Sequence, residues 1–428
     1  MRAIAISAFE RDGKEVIPRG SLILGVVREV RRVGLGFIRE RALLDLEFDD
    51  YQLPDGRSYP LQARVVGLDN AREEVTAEGR IKGILAASAP YSAINGLWMT
   101  PSTGVAERSA SGLSGVSGML NTHLELGPMG ALALFAARLA VLRMPEPEIF
   151  LPRGAEMRLR IDRIPADAPG FAAPEPVPVP SQLATLLADL PVRLQRAGDG
   201  PDADLINVAF LGSRRNLRNA FAAAGWWRAE PLTARSLSRA SSAFAKMQGY
   251  QTAPVSLLTW EGRKPDLVFE KSFNTLAKRH HVRIWRAGGF NGQELWVGAA
   301  THDVGVTVDA RHVSLTHRVD PRIDLEREKI VNDFRFTGCT STLGYVPRAH
   351  LPAGGMRTDG ALAVLPVDAC NPSEPPSATP PSPTRLEKAA HLARRFNLET
   401  RNYLLRGNIW YWGYRAVRWC FRPPVTPL

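Results

Sequence analysis

The sequence of 428 residues predicts an α+β protein built from a β-rich module, an antiparallel sheet with flanking helices, and a basic aromatic helical tail. Short apolar segments separated by turn residues fill positions 1–80, which is typical of a small barrel or sandwich. Between 204 and 338, consecutive strand patterns have helical patterns at their margins. This order favours an α+β layer over alternating βαβ units.

Changes in composition along the chain predict the domain boundaries. A chain of this length with 45% hydrophobic residues can fill two or three cores, and two proline-rich stretches read as extended spacers between them. We predict a β-rich module at 1–162 with a Gly- and Ala-rich helical insertion at 81–148, a Pro-rich linker at 163–182, an α+β domain at 183–350, a second Pro-rich linker at 351–384 and a basic aromatic tail at 385–428.

Four strands are predicted at the start of the N-terminal module, at 4–9, 22–30, 42–48 and 61–68. The segment VIPRGSLILGVV at 16–27 is echoed by FLPRGAEMRLRI at 150–161. In both segments an apolar residue precedes Pro-Arg-Gly, where proline fixes φ and glycine takes a conformation that other residues resist. We therefore expect two related strands within one barrel or sandwich.

Capping signals predict two helices early in the α+β domain. The apolar run LINVAFL at 205–211 predicts a buried strand. Ser213 follows it as the N-cap of a helix that closes at Gly225, and Thr233 caps a second helix. Arg214 and Arg215 occupy the first turn of the first helix, where free N–H groups and guanidinium groups can hold an anion. Ser213, Arg214 and Arg215 are thus a candidate anion site, with an ordinary solvated helix start as the alternative.

A third helix is predicted to begin at Asp320, with Pro321 in its first turn. Its apolar residues recur at helical spacing and predict the face that covers the sheet: Ile323, Ile330, Val331 and Phe334. We expect its solvated side to carry Asp324, Glu326, Arg327 and Glu328. In the alternative interpretation, Asp324 or Glu326 points towards the histidines of the sheet.

Five ordered motifs connect these elements to a known family. They are GWWRAEPLT (225–233), YQTAPVSLLTWEGRKPDLVFEK (250–271), RHHVRIW (279–285), LWVGAATHDVGV (295–306) and THRVDPRIDLERE (316–328). In this order they resemble the LssY C-terminal domain family over about 204–338. The resemblance implies a bacterial domain without an agreed reaction, found also beside integral-membrane modules similar to DedA and type-two phosphatidic acid phosphatase proteins. It brings no catalytic residues to this sequence.

Two strand patterns in the same region predict a histidine-bearing hairpin. QELWVGAATHDVGVTV (293–308) and RHVSLTHRV (311–319) both alternate apolar and polar residues. If the two residues between them form the loop, the register pairs Val306 with Val313, Val304 with Leu315 and His302 with His317. A slip by one residue would bring valines against the polar face. We therefore predict that the His302 and His317 rings meet across neighbouring strands.

Imidazole groups in such a pair suit acid–base or metal chemistry. The candidate catalytic residues are His302, His317, Asp303 and Asp320, and the candidate metal ligands are His302, His317, His280 and His281. A divalent metal is the cofactor that this set would take. The alternative is a polar sheet edge in which the histidines have structural roles, since their spacing matches no short metal motif.

Charge and aromatic content predict an acidic partner. The formal net charge is +11, which favours anionic lipid, a wall polymer or nucleic acid. Residues 385–422 carry nine Lys or Arg against two Glu, together with interleaved Trp, Tyr and Phe. This mixture suits an anionic membrane surface or envelope component. The alternatives are docking of the tail on its own protein and, less favoured, single-stranded nucleic acid.

The compartment is predicted from several weaker observations. The three cysteines are far apart, so at most one disulfide is possible and we expect none. No apolar run reaches membrane-spanning length, and no signal peptide precedes the first strand, which is itself so close to residue 1 that we expect a truncated start. The Pro-x-Gly turns are similar to those of envelope and secretion-channel β-domains. We expect a cell-envelope protein, periplasmic or membrane-peripheral, with an integral-membrane partner as one possibility.

Two functions follow from the sequence. The first is binding or scaffolding at the membrane or cell wall through the LssY C-terminal-like domain and the tail. The alternative is a histidine- or metal-dependent hydrolase acting on a phosphorylated or glycan envelope substrate, because a bound divalent ion lowers the pKa of water enough to make a nucleophile.

Overall fold

In a computed structural model, the protein is a mixed, strand-rich molecule with antiparallel sheets. The structure describes residues 1–34, 39–84, 127, 129, 146–151, 154–172, 175–196, 204–245, 248–309, 314–340, 343–348, 356–370, 384–386, 389–390, 392–394, 397–398 and 417. The predicted insertion at 81–148 and the predicted helical tail lie almost entirely outside these residues.

The N-terminal module is a seven-stranded half-barrel with a three-stranded sheet beside it. Its strands are β1 (Arg2–Ile4), β2 (Phe9–Arg11), β3 (Lys14–Ile17), β4 (Leu22–Arg31), β5 (Leu43–Gln52), β6 (Ser58–Leu68), β7 (Glu74–Val75), β8 (Ile81–Lys82), β9 (Met157–Arg163) and β10 (Phe171–Ala172). The large sheet has the order β1-β4-β5-β6-β9, with β8 on β5 and β7 on β8, and the small one β10-β3-β2. Apolar residues alternate along these strands, so one face is buried around Phe48, Tyr51 and Val65. The two Pro-Arg-Gly segments lead into β4 and β9, which lie in the same sheet as expected.

The C-terminal part is built on an eight-stranded sheet covered on both faces. The strands of this part of the chain are β11 (Gln195–Arg196), β12 (Val208–Leu211), β13 (Trp227–Arg228), β14 (Leu258–Thr259), β15 (Leu267–Lys271), β16 (Arg279–Phe290), β17 (Gln293–Asp309), β18 (Ser314–Val319), β19 (Gly344–Val346) and β20 (Leu362–Pro366). The order is β13-β15-β16-β17-β12-β20-β19, with β18 paired to β17, while β11 and β14 form a separate pair. Only the β12–β20 pair among these neighbours is parallel in the described residues.

In the described residues, four helices accompany this sheet: α1 (Ser181–Ala188), α2 (Arg214–Ala223), α3 (Ala234–Ala245) and α4 (Ile323–Phe336). One apolar cluster joins α2 and α4 to one face of the sheet through Phe221, Trp296 and Phe334. A second cluster places α1 with Trp260 and Trp285 against the opposite face. The central strands β12, β16 and β17 are therefore packed on both faces. Close packing of this kind restricts the side chains near the strand ends to few positions.

The predicted caps of α2 and α3 are confirmed. Ser213 accepts a hydrogen bond from the Asn216 backbone at 3.1 Å, and Gly225 follows the helix with φ +77°, a conformation that glycine takes without strain. Thr233 accepts from the Ser236 backbone at 3.1 Å. The local signals were sufficient here because a cap depends only on residues within one helical turn.

Replacing Ser213 with alanine is expected to lower the free energy of unfolding by about 1 kcal/mol, because the Asn216 N–H then loses its acceptor. Urea titration of the two proteins measures this difference. Ser238→Ala, an exposed serine inside α3, is the matched control. An equal effect of both substitutions would contradict the capping role.

The prediction for α4 was wrong at its start and on one side. The helix begins at Ile323, so Pro321 lies before it and not in its first turn. Glu326 and Arg327, expected in water, are only 3% and 5% exposed. Both side chains are buried because they bind partners outside the helix: Glu326 binds His280, and Arg327 binds Asp359 at 2.6 Å. The apolar face is as predicted.

Both predicted linkers contain strands. Residues 171–172 form β10 on β3, and 362–366 form β20, which lies between β12 and the edge strand β19 of the eight-stranded sheet. The strand β20 was missed because it lies in a stretch that was interpreted as a Pro-rich linker. Its five residues, LAVLP, nevertheless form an apolar segment that pairs with a strand on each side. The expectation of no disulfide was also wrong: Cys339, after α4, is bonded to Cys370, after β20.

The described part of the tail contacts the N-terminal module. Arg394 forms an ion pair with Glu148 at 2.5 Å and donates to the Val33 carbonyl, and Leu398 is buried. Leu386 and Leu392 are exposed. Within the residues that the structure describes, no helix has the length and apolar composition of a membrane span.

Candidate functional site

The pairing of β16 with β17 places His280 opposite His302. The predicted pairing of His302 with His317 was wrong, because His317 pairs with Val306 and Asp309 pairs with Ser314. This register leaves four residues between Asp309 and Ser314 where the prediction had two. A further irregularity between Asp303 and Gly305 shifts the end of the hairpin. Alternation alone could not fix the register, because a change of four residues in the pairing keeps every side chain on its predicted face.

Side chains at the end of this strand pair form two groups on opposite faces. His280 and His302 lie on the face covered by α2 and α4, in line with the apolar residues Val282 and Ala300. His281 and Asp303, one residue further along each strand, lie on the other face. The four histidines that we predicted as one metal site are therefore divided by the sheet.

The first group, here called the interface cluster, consists of Asp69, Asn70, His280, His302 and Glu326. The rings of His280 and His302 are stacked, with centroids 4.3 Å apart and an interplanar angle of 24°. His280 Nε2 lies 2.8 Å from Asp69 Oδ2, and His280 Nδ1 lies 2.6 Å from Glu326 Oε2. His302 Nε2 lies 3.1 Å from Asn70 Oδ1. The cluster thus joins the loop after β6 to the sheet and to α4.

The two histidines of the interface cluster differ in their affinity for a proton. Burial by itself would lower the pKa of His280, but Glu326 and Asp69 outweigh it and raise that pKa to about 10. Burial and the charge of His280 lower the pKa of His302 to about 3. Burial opposes ionisation of Asp69, but the charge and hydrogen bond of His280 hold its pKa far below the ordinary value. Without a metal, a cationic ring is therefore stacked on a neutral one.

The interface cluster also has the donor set of a metal centre. Candidate ligand atoms of Asp69, His280 and His302 all lie within 4.8 Å of one another. Two imidazole nitrogens and one carboxylate oxygen suit a divalent transition metal. If His280 binds through Nε2, its Nδ1–H donates to Glu326, the arrangement in which a second carboxylate orients a metal-binding histidine. Asp69, His280 and His302 therefore fit a divalent metal ion as ligands, and Glu326 would orient His280 from behind.

The second group, here called the rim cluster, consists of Glu270, Arg279, His281, Asp303 and His317. Arg279 binds Glu270 at 3.0 Å and Asp303 at 3.2 Å. His281 donates from Nδ1 to the Thr301 carbonyl at 3.0 Å, which leaves Nε2 3.7 Å from Asp303 Oδ1. His317 Nδ1 lies 3.3 Å from Asp303 Oδ2.

Burial dominates the titration of the rim cluster. It raises the pKa of Asp303 to about 6, and with Arg279 it lowers the pKa of His317 to about 4. Burial and the charges of Arg283 and Arg279 lower the pKa of His281 well below its ordinary value. The lowered pKa values favour the neutral form of both histidines. Burial also raises the pKa of Glu270 to about 8, against the opposing charge of Arg279. The buried Arg279 guanidinium therefore has Asp303 as its main counter-charge, while Glu270 accepts hydrogen bonds from Arg279 and from the Ala253 backbone.

Residues 187–364 match a family model described as LssY C-terminus. This segment is similar to that family. The resemblance drawn from the five motifs is confirmed, and the match extends it from 204–338 at both ends. No curated protein and no solved structure matches the chain.

The LssY C-terminus segment supplies only part of the interface cluster. His280, His302 and Glu326 lie inside it, whereas Asp69 and Asn70 belong to the N-terminal module, more than 200 residues earlier in the chain. Sequence reasoning missed these two residues, because Asp-Asn after a strand is an ordinary turn signal. Glu326 was the less favoured of two interpretations, and the structure decides for it.

The remaining predicted site residues have other partners. The backbone of Asp320 donates to the His302 carbonyl at 2.8 Å, while its carboxylate binds Arg322 at 3.0 Å. The backbone of Arg214 donates to Glu294 at 2.7 Å. A carboxylate of the protein thus lies at the helix start where we predicted an external anion. The anion-binding role of Ser213, Arg214 and Arg215 stays a prediction.

Proposed function

We propose that the protein is a metal-dependent hydrolase of the bacterial cell envelope and that Asp69, His280 and His302 hold its divalent metal ion. The observation that carries the proposal is the convergence of these three donor atoms within 4.8 Å, with Glu326 bonded to the far nitrogen of His280. A three-residue donor set of this kind leaves coordination positions for water and substrate, as catalytic metal sites do.

A bound divalent ion would polarise the substrate and lower the pKa of a water molecule. The protein's own residues prepare the site for it. Glu326, 3% exposed, accepts a hydrogen bond from Nδ1–H of His280. When a metal replaces the Nε2 proton, this bond would keep Nε2 facing Asp69 as the ligand atom. Among Asp69, His280 and Glu326, Asp69 has the most exposed side chain, at 20%, so we expect a substrate to approach the cluster from its side. Asp320 fixes the backbone of His302 from the other side.

The proposed substrate is a phosphorylated or glycan component of the envelope. The net charge of +11 favours the phosphorylated class, since a basic protein attracts anionic substrates. The Cys339–Cys370 disulfide supports an envelope location, because disulfides persist in oxidising compartments such as the periplasm.

Metal analysis tests the proposal directly. We expect the purified full-length protein to bind one equivalent of Mn²⁺ or Zn²⁺, and His280→Ala to weaken that binding by at least about 100-fold, because it removes a ligand. His317→Ala, a substitution in the rim cluster on the opposite face, is the matched control. Absence of metal binding, or equal loss in both variants, would remove the proposed centre.

A second candidate function is binding to the envelope surface through the tail. It is supported by Leu386 and Leu392, 81% and 70% exposed on a segment with a local charge of +7 from nine basic and two acidic residues. Arg394 and Leu398 meanwhile contact the protein itself, which favours docking of at least this part of the tail.

Vesicle co-sedimentation separates the two roles of the tail. We expect the full chain to bind vesicles that contain anionic lipid and a chain without residues 385–428 to bind them several-fold more weakly, because each basic residue near such a surface contributes about 1 kcal/mol. Uncharged vesicles are the control. Equal binding by both chains would contradict the membrane role.

A further inference from the structure

The side chain of Asn70 is held in one orientation beside the proposed metal ligands. Its Nδ2 donates to the Lys271 carbonyl at 3.0 Å, so its Oδ1 faces the other way, towards His302 Nε2 at 3.1 Å. The residue is 5% exposed and has a φ of +52°, which asparagine tolerates better than most residues. A neutral oxygen donor is therefore fixed next to a ligand nitrogen.

The number and kind of donor atoms bear on the choice of ion. Asp69 Oδ2 and His280 Nε2 are 2.8 Å apart, and Asn70 Oδ1 and His302 Nε2 are 3.1 Å apart, so each pair is joined by a hydrogen bond. An ion that replaced the bridging protons would meet two nitrogen and two oxygen atoms. Carboxylate and carbonyl oxygens suit Mn²⁺, whereas catalytic Zn²⁺ sites use three protein ligands.

We propose that Asn70 is a fourth ligand of the centre and that it sets the metal preference by favouring a six-coordinate ion such as Mn²⁺ over a tetrahedral ion such as Zn²⁺. This inference rests on the metal centre of the proposed function. At a six-coordinate ion these four residues would leave two positions, which a water molecule and a substrate oxygen could take. The N-terminal module then contributes two of the four ligands, both from the loop that follows β6.

The position of Asn70 also explains why a neutral ligand is present there. Asp69 already brings one negative charge, and Glu326 places a second carboxyl group behind His280. With a third carboxylate at position 70, the cluster would bind divalent ions more tightly. That affinity would then depend less on the two imidazole ligands. An amide oxygen completes the coordination without adding charge, which leaves the ion a stronger Lewis acid.

The test uses the full-length protein with Mn²⁺ and Zn²⁺ added separately. Asn70→Gly removes the donor while keeping the positive φ free of strain, and Asn70→Asp keeps an oxygen at the same place. We expect Asn70→Gly to weaken Mn²⁺ binding by at least about 10- to 100-fold and to weaken Zn²⁺ binding less, so that the ratio of the two affinities falls. Asn70→Asp is expected to retain or strengthen Mn²⁺ binding.

The matched control is Asn274→Ala, since Asn274 also joins the two parts of the chain, through Glu73 at 2.7 Å, but lies outside the cluster. The inference would be overturned if Asn70→Gly kept the wild-type ratio of Mn²⁺ to Zn²⁺ affinity. It would also be overturned if Asn274→Ala changed that ratio by the same amount. If His280→Ala loses metal while Asn70→Gly does not, only the fourth ligand is refuted. If the wild-type protein binds neither ion, the proposed function and this inference are refuted together.

Discussion

Replacing Asp333 with alanine is expected to lower the free energy of unfolding by about 3–5 kcal/mol, which is the usual effect of removing one partner from a buried ion pair. Asp333 is 3% exposed and accepts from the Trp226 indole at 2.8 Å, from Lys271 at 3.2 Å and from Lys329 at 2.6 Å. Without it, two ammonium groups lose a buried counter-charge and one indole N–H loses its acceptor.

The same ion-pair network joins the two parts of the chain. Glu156, just before β9, binds Lys271 at 2.5 Å and Lys329 at 2.7 Å. In the Asp333→Ala protein the two lysines would share this single carboxylate, which lies at the contact between the N-terminal module and the C-terminal sheet. We therefore expect the substitution to destabilise the contact between the two parts as well as α4.

Urea unfolding followed by tryptophan fluorescence measures the effect, and Asp333→Asn separates charge from shape. The amide of Asp333→Asn keeps an oxygen for Trp226 but loses the charge. We therefore expect its free energy of unfolding to fall clearly, but by less than in Asp333→Ala. Asp55→Ala is the matched control, since its pair with Arg57 is exposed and is expected to contribute nothing measurable. An Asp333→Ala protein as stable as the control would contradict the role of the network.

Reducing the Cys339–Cys370 disulfide is expected to lower the free energy of unfolding by about 3–4 kcal/mol, because it frees a loop of 31 residues in the unfolded chain. The bond connects Cys339, shortly after the end of α4, with Cys370, shortly after the end of β20. It therefore joins the helix that carries Glu326 to the strand that pairs with β12 and β19.

Unfolding in urea with and without reductant tests this, together with Cys339→Ala/Cys370→Ala, which should behave like the reduced protein in both conditions. Cys420→Ser is the control for the third thiol and should respond to reductant as the wild-type protein does. If the wild-type protein has the same stability in both conditions, the disulfide does not form in solution, and the support that it gives to an envelope location is lost.

Much of the secondary structure could be predicted because it depends on neighbours in the sequence. The α2 helix is an example: Ser213, Gly225 and the apolar run before them form one local pattern, and the structure shows all three in the expected places. Strand β20 is the opposite example. Its five residues form a strand only because β12 and β19 provide edges for it, and those edges come from distant parts of the chain.

The hairpin register shows where local patterns stop being sufficient. Alternation correctly predicted that β17 and β18 pair, but it permits any shift by an even number of residues. In the structure His317 pairs with Val306, four residues further along β17 than predicted. The partner of His302 is His280, on the other side of β17, and that contact is set by the separate β16–β17 pairing, which the hairpin pattern could not predict.

The sequence by itself determined the caps of α2 and α3, the apolar face of α4, the pairing of β17 with β18 and the similarity of residues 187–364 to the LssY C-terminus family. Only the tertiary structure decided which histidines meet, that Glu326 is buried, and that Asp69 and Asn70 complete the cluster. The physical reason is distance along the chain. Periodicity and capping are properties of a few consecutive residues, whereas a contact such as Asp69–His280 spans 211 positions and arises when two separately patterned surfaces pack together.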